Sequence, residues 1–177
     1  MKLKHIFTGT IFALLCVTVY SAGAGLEGIE SRVAEIIAKD REVSPNIRAA
    51  AAKLSSSKLE EVEDAIFDLQ VENRPDLLAV ALSYSISQIQ IKAAKALEKI
   101  GTKHEVKPML EILIQCREGL FVRNAEMAIA NRQLIHHLML AINHASGRRL
   151  GDPNETADEE VDRFIKNASA AVESSRK

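Results

Sequence analysis

Apolar residues recur at three- and four-residue spacings along most of the chain, and no segment sustains a two-residue alternation. In "LEGIESRVAEIIAK" (26–39), Leu26, Ile29, Val33, Ile36 and Ile37 follow helical spacing. "SPNIRAAAAKL" (44–54) opens with Ser44 as an N-cap and Pro45 at the first helical position. "SKLEEVEDAIFDLQ" (57–70) pairs Ser57 with Glu60 in the spacing of a capping box. "RPDLLAVALSYS" (74–85) has proline near its start, and the helix after Ser87 stops at Gly101 as C-cap. "TKHEVKPMLEILIQCRE" (102–118) carries the capping pair Thr102 and Glu105, while Pro108 predicts a late start or a kink. "LFVRNAEMAIANRQLIHHLMLAINHAS" (120–146) is closed by Gly147, and a last helix over 156–175 starts with Thr156 and Glu159. The pattern predicts an all-α chain.

The helices also repeat. "AIFDL" (65–69), "ALEKI" (96–100) and "AIANR" (128–132) are spaced by 31 and then 32 residues. The helices before them keep the step through Ile47 and Ala51, Leu78 and Leu82, and Leu110 and Ile114. Two helices per unit at such a period predict an α-solenoid in which each pair buries its apolar face on the next. The register places Ala65, Ala96 and Ala128 at equivalent packing positions. Arg132 stands where Leu69 and Ile100 stand in the earlier units, as befits an atypical terminal unit.

"IQIKAAKALEKIG" (89–101) resembles the second helix of a HEAT repeat, in particular the short HEAT-like units of the phycobilisome-lyase type. A β-branched and a basic residue precede alanines, a leucine and a terminal glycine; "NIRAAAAKL" and "FVRNAEMAI" carry weaker versions. The tail "INHASGRRLGDPNETADEEVDRFIKNA" is similar to the close of some exported HEAT-repeat proteins, with Phe164 as its one helix aromatic. The resemblance implies a right-handed α-solenoid of antiparallel helix pairs, with core repeats over about 45–135 and terminal capping helices at 26–40 and 136–175. It implies a binding or scaffold role more often than catalysis, and fold analogy alone assigns no function.

The helix at 89–101 bears a stripe of Lys92, Lys95 and Lys99. One 31-residue step back, these positions become Glu61, Asp64 and Asp68. Helices stacked about 8–10 Å apart let such side chains meet, so the plain reading is mutual neutralisation. The functional reading is a dipolar groove, extended by Arg123, across which a charged protein or peptide lies. The groove is not uniformly basic, which argues against a phosphate track.

The ends and the composition narrow the setting. Lys2 and Lys4, the apolar stretch from Ile6 to Tyr20 and the small residues "AGA" (22–24) read as a signal peptide over 1–24, cleaved after Ala24. The apolar stretch is short for a membrane span, so no stable membrane insertion is expected after processing. Cys16 would fit a lipoprotein, but the bulky Leu15 before it does not. The mature chain, 25–177, is one domain's length, and losing Lys2 and Lys4 takes its net charge from −1 to −3. That balance, with no tryptophan, speaks against nucleic acid. Only Cys116 remains, so no intrachain disulfide forms. The expected address is periplasmic or extracellular.

Candidate chemistry is sparse. His137 and His144 lie seven residues apart near one face of the long helix, further apart than the i, i+4 spacing that suits one metal. His136 points about 100° away from His137, so a metal would need a ligand from another helix, such as Asp158 or Glu159. His104 stands alone, and Cys116, in an apolar run beside Arg117, lacks a histidine at recognisable spacing. No phosphate loop or nucleophile elbow is present, and "GRRLGD" (147–152) reads as a loop. These patterns point to a protein- or peptide-binding scaffold with no catalytic residue, metal or cofactor. The other reading is a lyase- or chaperone-like factor acting on a bound prosthetic group, for which Cys116 and the long-helix histidines are the nearest candidates.

Overall fold

The computed structural model describes residues 12–40, 42–119 and 124–174, with side chains from Leu26 onward. These residues form α1 (Phe12–Lys39), α2 (Pro45–Leu54), α3 (Leu59–Val71), α4 (Pro75–Ala81), α5 (Ser87–Ile100), α6 (Val106–Arg117), α7 (Ala125–Ser146) and α8 (Asp158–Ser174), with no strand among them. The protein is all-α.

α1 runs through Ala24 and Gly25 without a break, so the expected cleavage point falls within helical backbone; the leader's first 11 residues lie outside the described residues. Among the described residues, no helix is long and apolar enough to cross a membrane. Ile29 and Val33 are buried as α1 packs on α2 and α4. Taking each such side chain out of water stabilises the fold by about 1.5–3 kcal/mol.

α2 and α3 form an antiparallel hairpin. Lys53 meets Asp68 and the earlier Asn46 reaches the later Glu72, the order of an antiparallel pair. Ser44 caps α2 by accepting from the Ile47 amide at 3.2 Å, with Pro45 beginning the helix. The capping box expected at Ser57 and Glu60 does not form. Ser56 organises that turn instead, accepting from the Lys58 amide and donating to Glu61, so α3 starts at Leu59. Asn73, in the left-handed region at φ 54°, turns the chain out of α3. Arg74 then holds Asp76 through two hydrogen bonds (2.9 and 2.7 Å) and Asp40 through one of 3.1 Å, pinning the end of α1 to the start of α4.

α4 is shorter than its sequence pattern, ending at Ala81 because Ser83 and Tyr84 bond back three residues and tighten the chain. Tyr84 is buried and donates to the Leu54 carbonyl. Gly101 does close α5, but with extended backbone (φ −59°, ψ 141°) rather than the left-handed cap that Gly147 makes at φ 64°. Thr102 and Glu105 bond to each other as expected, yet they form a turn ahead of α6, which starts late at Val106. Thr156 is likewise outside the start of α8, where the Ala157 carbonyl accepts from Val161.

α3, α5 and α7 contact one another in succession, and α8 covers α6. α5 and α7 run in the same sense: Glu98 meets His137, and further along a Cβ on Gly101 would sit 3.6 Å from that of Ala145. The buried residues of α5 are Ile89, Gln90, Ala93, Ala94, Ala96 and Leu97. A constant step of 45 residues carries them onto the buried residues of α7: Leu134, Ile135, Leu138, Met139, Ala141 and Ile142. A step of 28 carries Val62, Ala65, Ile66 and Leu69 of α3 onto Gln90, Ala93, Ala94 and Leu97.

The 32-residue step read from "AIANR" is therefore not the packing register. It would put Ile129, 63% exposed, at the place of the fully buried Leu97. Ala65 and Ala96 are buried as expected, whereas Ala128 is only half-buried. α7 has 22 residues to the 14 of α5, and its later turns are the ones that bury the core face. α8 closes the far end, with Phe164 buried against Gly151 and Arg117 of α6 gripping Asp162 at 2.8 and 2.9 Å.

Candidate partner-binding surface

The charged stripes of α3 and α5 do not pair position for position. Lys92 meets Glu63 at 2.6 Å, and Gln88 donates to the same carboxylate at 2.7 Å. Glu61 instead binds Lys58 and Ser56, whose hydrogen bonds lower its carboxyl pKa. Asp68 turns back to Lys53 on α2 at 3.1 Å. The contacts themselves set the offset: Glu63 meets Gln88 and Lys92, 25 and 29 residues on, short of the 31-residue step. Asp64, Lys95 and Lys99 are exposed and make no ion pair among the described residues. Arg123 lies outside the described residues.

Two apolar residues complete this surface. Phe67 and Val71, each 66% exposed, continue the Glu63 stripe one and two turns along α3. Lys95 and Lys99 continue the Lys92 stripe along α5 in the same way. An uncovered aromatic ring and a valine thus stand on α3, and two unpaired ammonium groups on the α5 helix that it contacts. The sequence carried the signal: Phe67 and Val71 fall off the face set by Val62, Ala65, Ile66 and Leu69, where polar residues would be expected.

The other candidates have structural partners. His136 donates from Nδ1 to the Pro153 carbonyl at 2.7 Å, and His137 bonds Glu98 across to α5. The two imidazoles meet edge to face at 5.0 Å, while His144 is exposed. Among the described residues, no three His, Cys, Asp or Glu side chains are grouped to hold a metal ion. Cys116 is buried, and desolvation pushes its thiol pKa up to about 12. Its neighbour Arg117 points away to Asp162 and Asp158 and gives no thiolate stabilisation.

Comparison of the chain with protein-family models, with curated proteins and with solved structures finds no match in any of the three.

Proposed function

We propose that this protein is an exported, non-catalytic scaffold that binds a protein or peptide on the α3–α5 face of a HEAT-like, right-handed α-solenoid. The observation that carries the binding reading is the exposed pair Phe67 and Val71 on α3, a helix in contact with α5 and its unpaired Lys95 and Lys99. Interface energy concentrates in aromatic anchors, and flanking charge of one sign selects a partner of the other. The fitting partner is an acidic segment with an apolar residue for Phe67 to cover. What supports the solenoid reading is the antiparallel α2–α3 hairpin and the succession α3, α5, α7, as inner helices of stacked pairs would run. The export reading rests on the leader-like start of the sequence.

The test is affinity capture from the envelope and secreted fractions, with wild type, Phe67→Ala and Lys95→Glu as baits. An exposed side chain can be truncated within about 0.5 kcal/mol of wild-type stability, so the variant stays folded. A partner retained by wild type and lost by Phe67→Ala and by Lys95→Glu supports the proposal. A partner held equally by all three baits shows that this face is not the binding surface.

A further inference from the structure

A second cleft lies away from the α3–α5 face. It has a volume of about 620 Å³ and sits among the α5–α6 turn, the start of α6, the end of α7 and the last turns of α8. That volume is in the range of small-molecule sites. Lys103, Lys107 and Arg148 line it together with His104, over an apolar wall that includes Val106 and Val172.

Among the described residues, no carboxylate lines this cleft. Glu105, next to two lining residues, is buried and spends one oxygen on the Thr102 amide and hydroxyl at 2.9 and 2.7 Å, while Glu173, next to Val172, is exposed and outside the lining. Lys107 has only a loose contact with Glu111 at 3.7 Å, and Lys103 and Arg148 have no ion pair among the described residues. The start of α6 favours an anion, while the ends of α7 and α8 oppose one. The helix dipoles therefore offset, and the side chains decide the sign. A low-dielectric wall beside three cations strengthens their attraction for a negative group.

We infer that this cleft binds a small organic anion, a carboxylate or phosphate carried on a compact apolar body. The cations hold the charged group, and Val106 and Val172 cover the body. The site is independent of the partner surface proposed above, so either can fail alone.

Phenyl phosphate, benzoate, inorganic phosphate and neutral benzyl alcohol serve as probes, titrated into the full chain and followed by amide chemical shifts. The expected result is saturable shifts at Val106 and Val172 with phenyl phosphate or benzoate, and which of the two binds tighter identifies the charged group. Inorganic phosphate and benzyl alcohol should bind more weakly than the better of the two. Arg148→Glu and Lys103→Glu should each weaken that probe about tenfold or more, with the milder Arg148→Gln in the same direction. Lys166→Glu, on the exposed face of α8, should leave the affinity unchanged. Far-ultraviolet circular dichroism verifies that each variant is folded. Equal binding of benzyl alcohol, affinity indifferent to Arg148 and Lys103, or an equal loss in Lys166→Glu would each overturn the anion site.

Discussion

A methyl group on Gly101 would sit 2.6 Å from the Leu97 carbonyl oxygen, the same oxygen that accepts the Gly101 amide at 2.8 Å. The obstacle is backbone at the end of a packed helix, so it cannot swing aside as a side-chain tip can. Gly101→Ala should cost about 1–3 kcal/mol through this overpacking, read as a lower urea midpoint with an unchanged slope. An unchanged midpoint would mean that the α5–α6 turn relaxes freely. Cys116 makes the opposite point, since nothing strains it and burial alone sets its chemistry. With its thiol raised to about 12, roughly one molecule in ten thousand holds a thiolate at pH 8. Iodoacetamide should therefore leave the native thiol unmodified for hours and label it promptly in denaturant. Rapid native labelling would show that α6 and α7 open readily around it.

Element boundaries were largely legible in the sequence because they depend on local chemistry. Ser44 with Pro45, Gly101 and Gly147 each mark an end that their own backbone requirements fix. The register between helices was not legible, because it depends on which turns of two unequal helices lie side by side. The likeness of "AIANR" to "ALEKI" records residue types, and burial follows contact instead. The charged stripes failed for the same reason: Lys92 found Glu63 rather than Glu61. Two measurements separate the registers. Leu138→Ala, at a fully buried position of α7, should cost about 2–5 kcal/mol. Ile129→Ala, at an exposed one, should stay within about 0.5 kcal/mol. If the costs are reversed, the 45-residue step is wrong and the 32-residue step stands. A double-mutant cycle on Lys92 and Glu63 should show coupling of about 0.2–1 kcal/mol, since both side chains are partly exposed. The cycle on Lys92 and Glu61 should show none.

At the scale of the whole molecule, the question is how a leader that reads as removable joins a helix that belongs to the fold. α1 is continuous from Phe12 to Lys39, so the backbone does not mark the division. The side chains give the physical criterion: the described core residues of α1 start at Leu26, with Ile29 and Val33 buried and Ile36 and Ile37 packed beside them. A cut after Ala24 leaves each of these in place, together with the Arg32 hydrogen bond to Ser83 at 2.6 Å and the Arg74 grip on Asp40. The chain 25–177 should therefore melt within a few degrees of the full chain. A chain starting at Asp40 loses the cover that Ile29 and Val33 give α2 and α4. At about 1.5–3 kcal/mol for each buried side chain, that loss is a large fraction of a domain's roughly 5–15 kcal/mol. In the native host, intact mass should give a species starting near Gly25. If the recovered protein keeps Met1, the export proposal falls, and equal melting of 25–177 would then reflect only where the core begins. If 25–177 fails to fold, residues before Gly25 carry packing that the fold requires, and cleavage after Ala24 cannot be the maturation step.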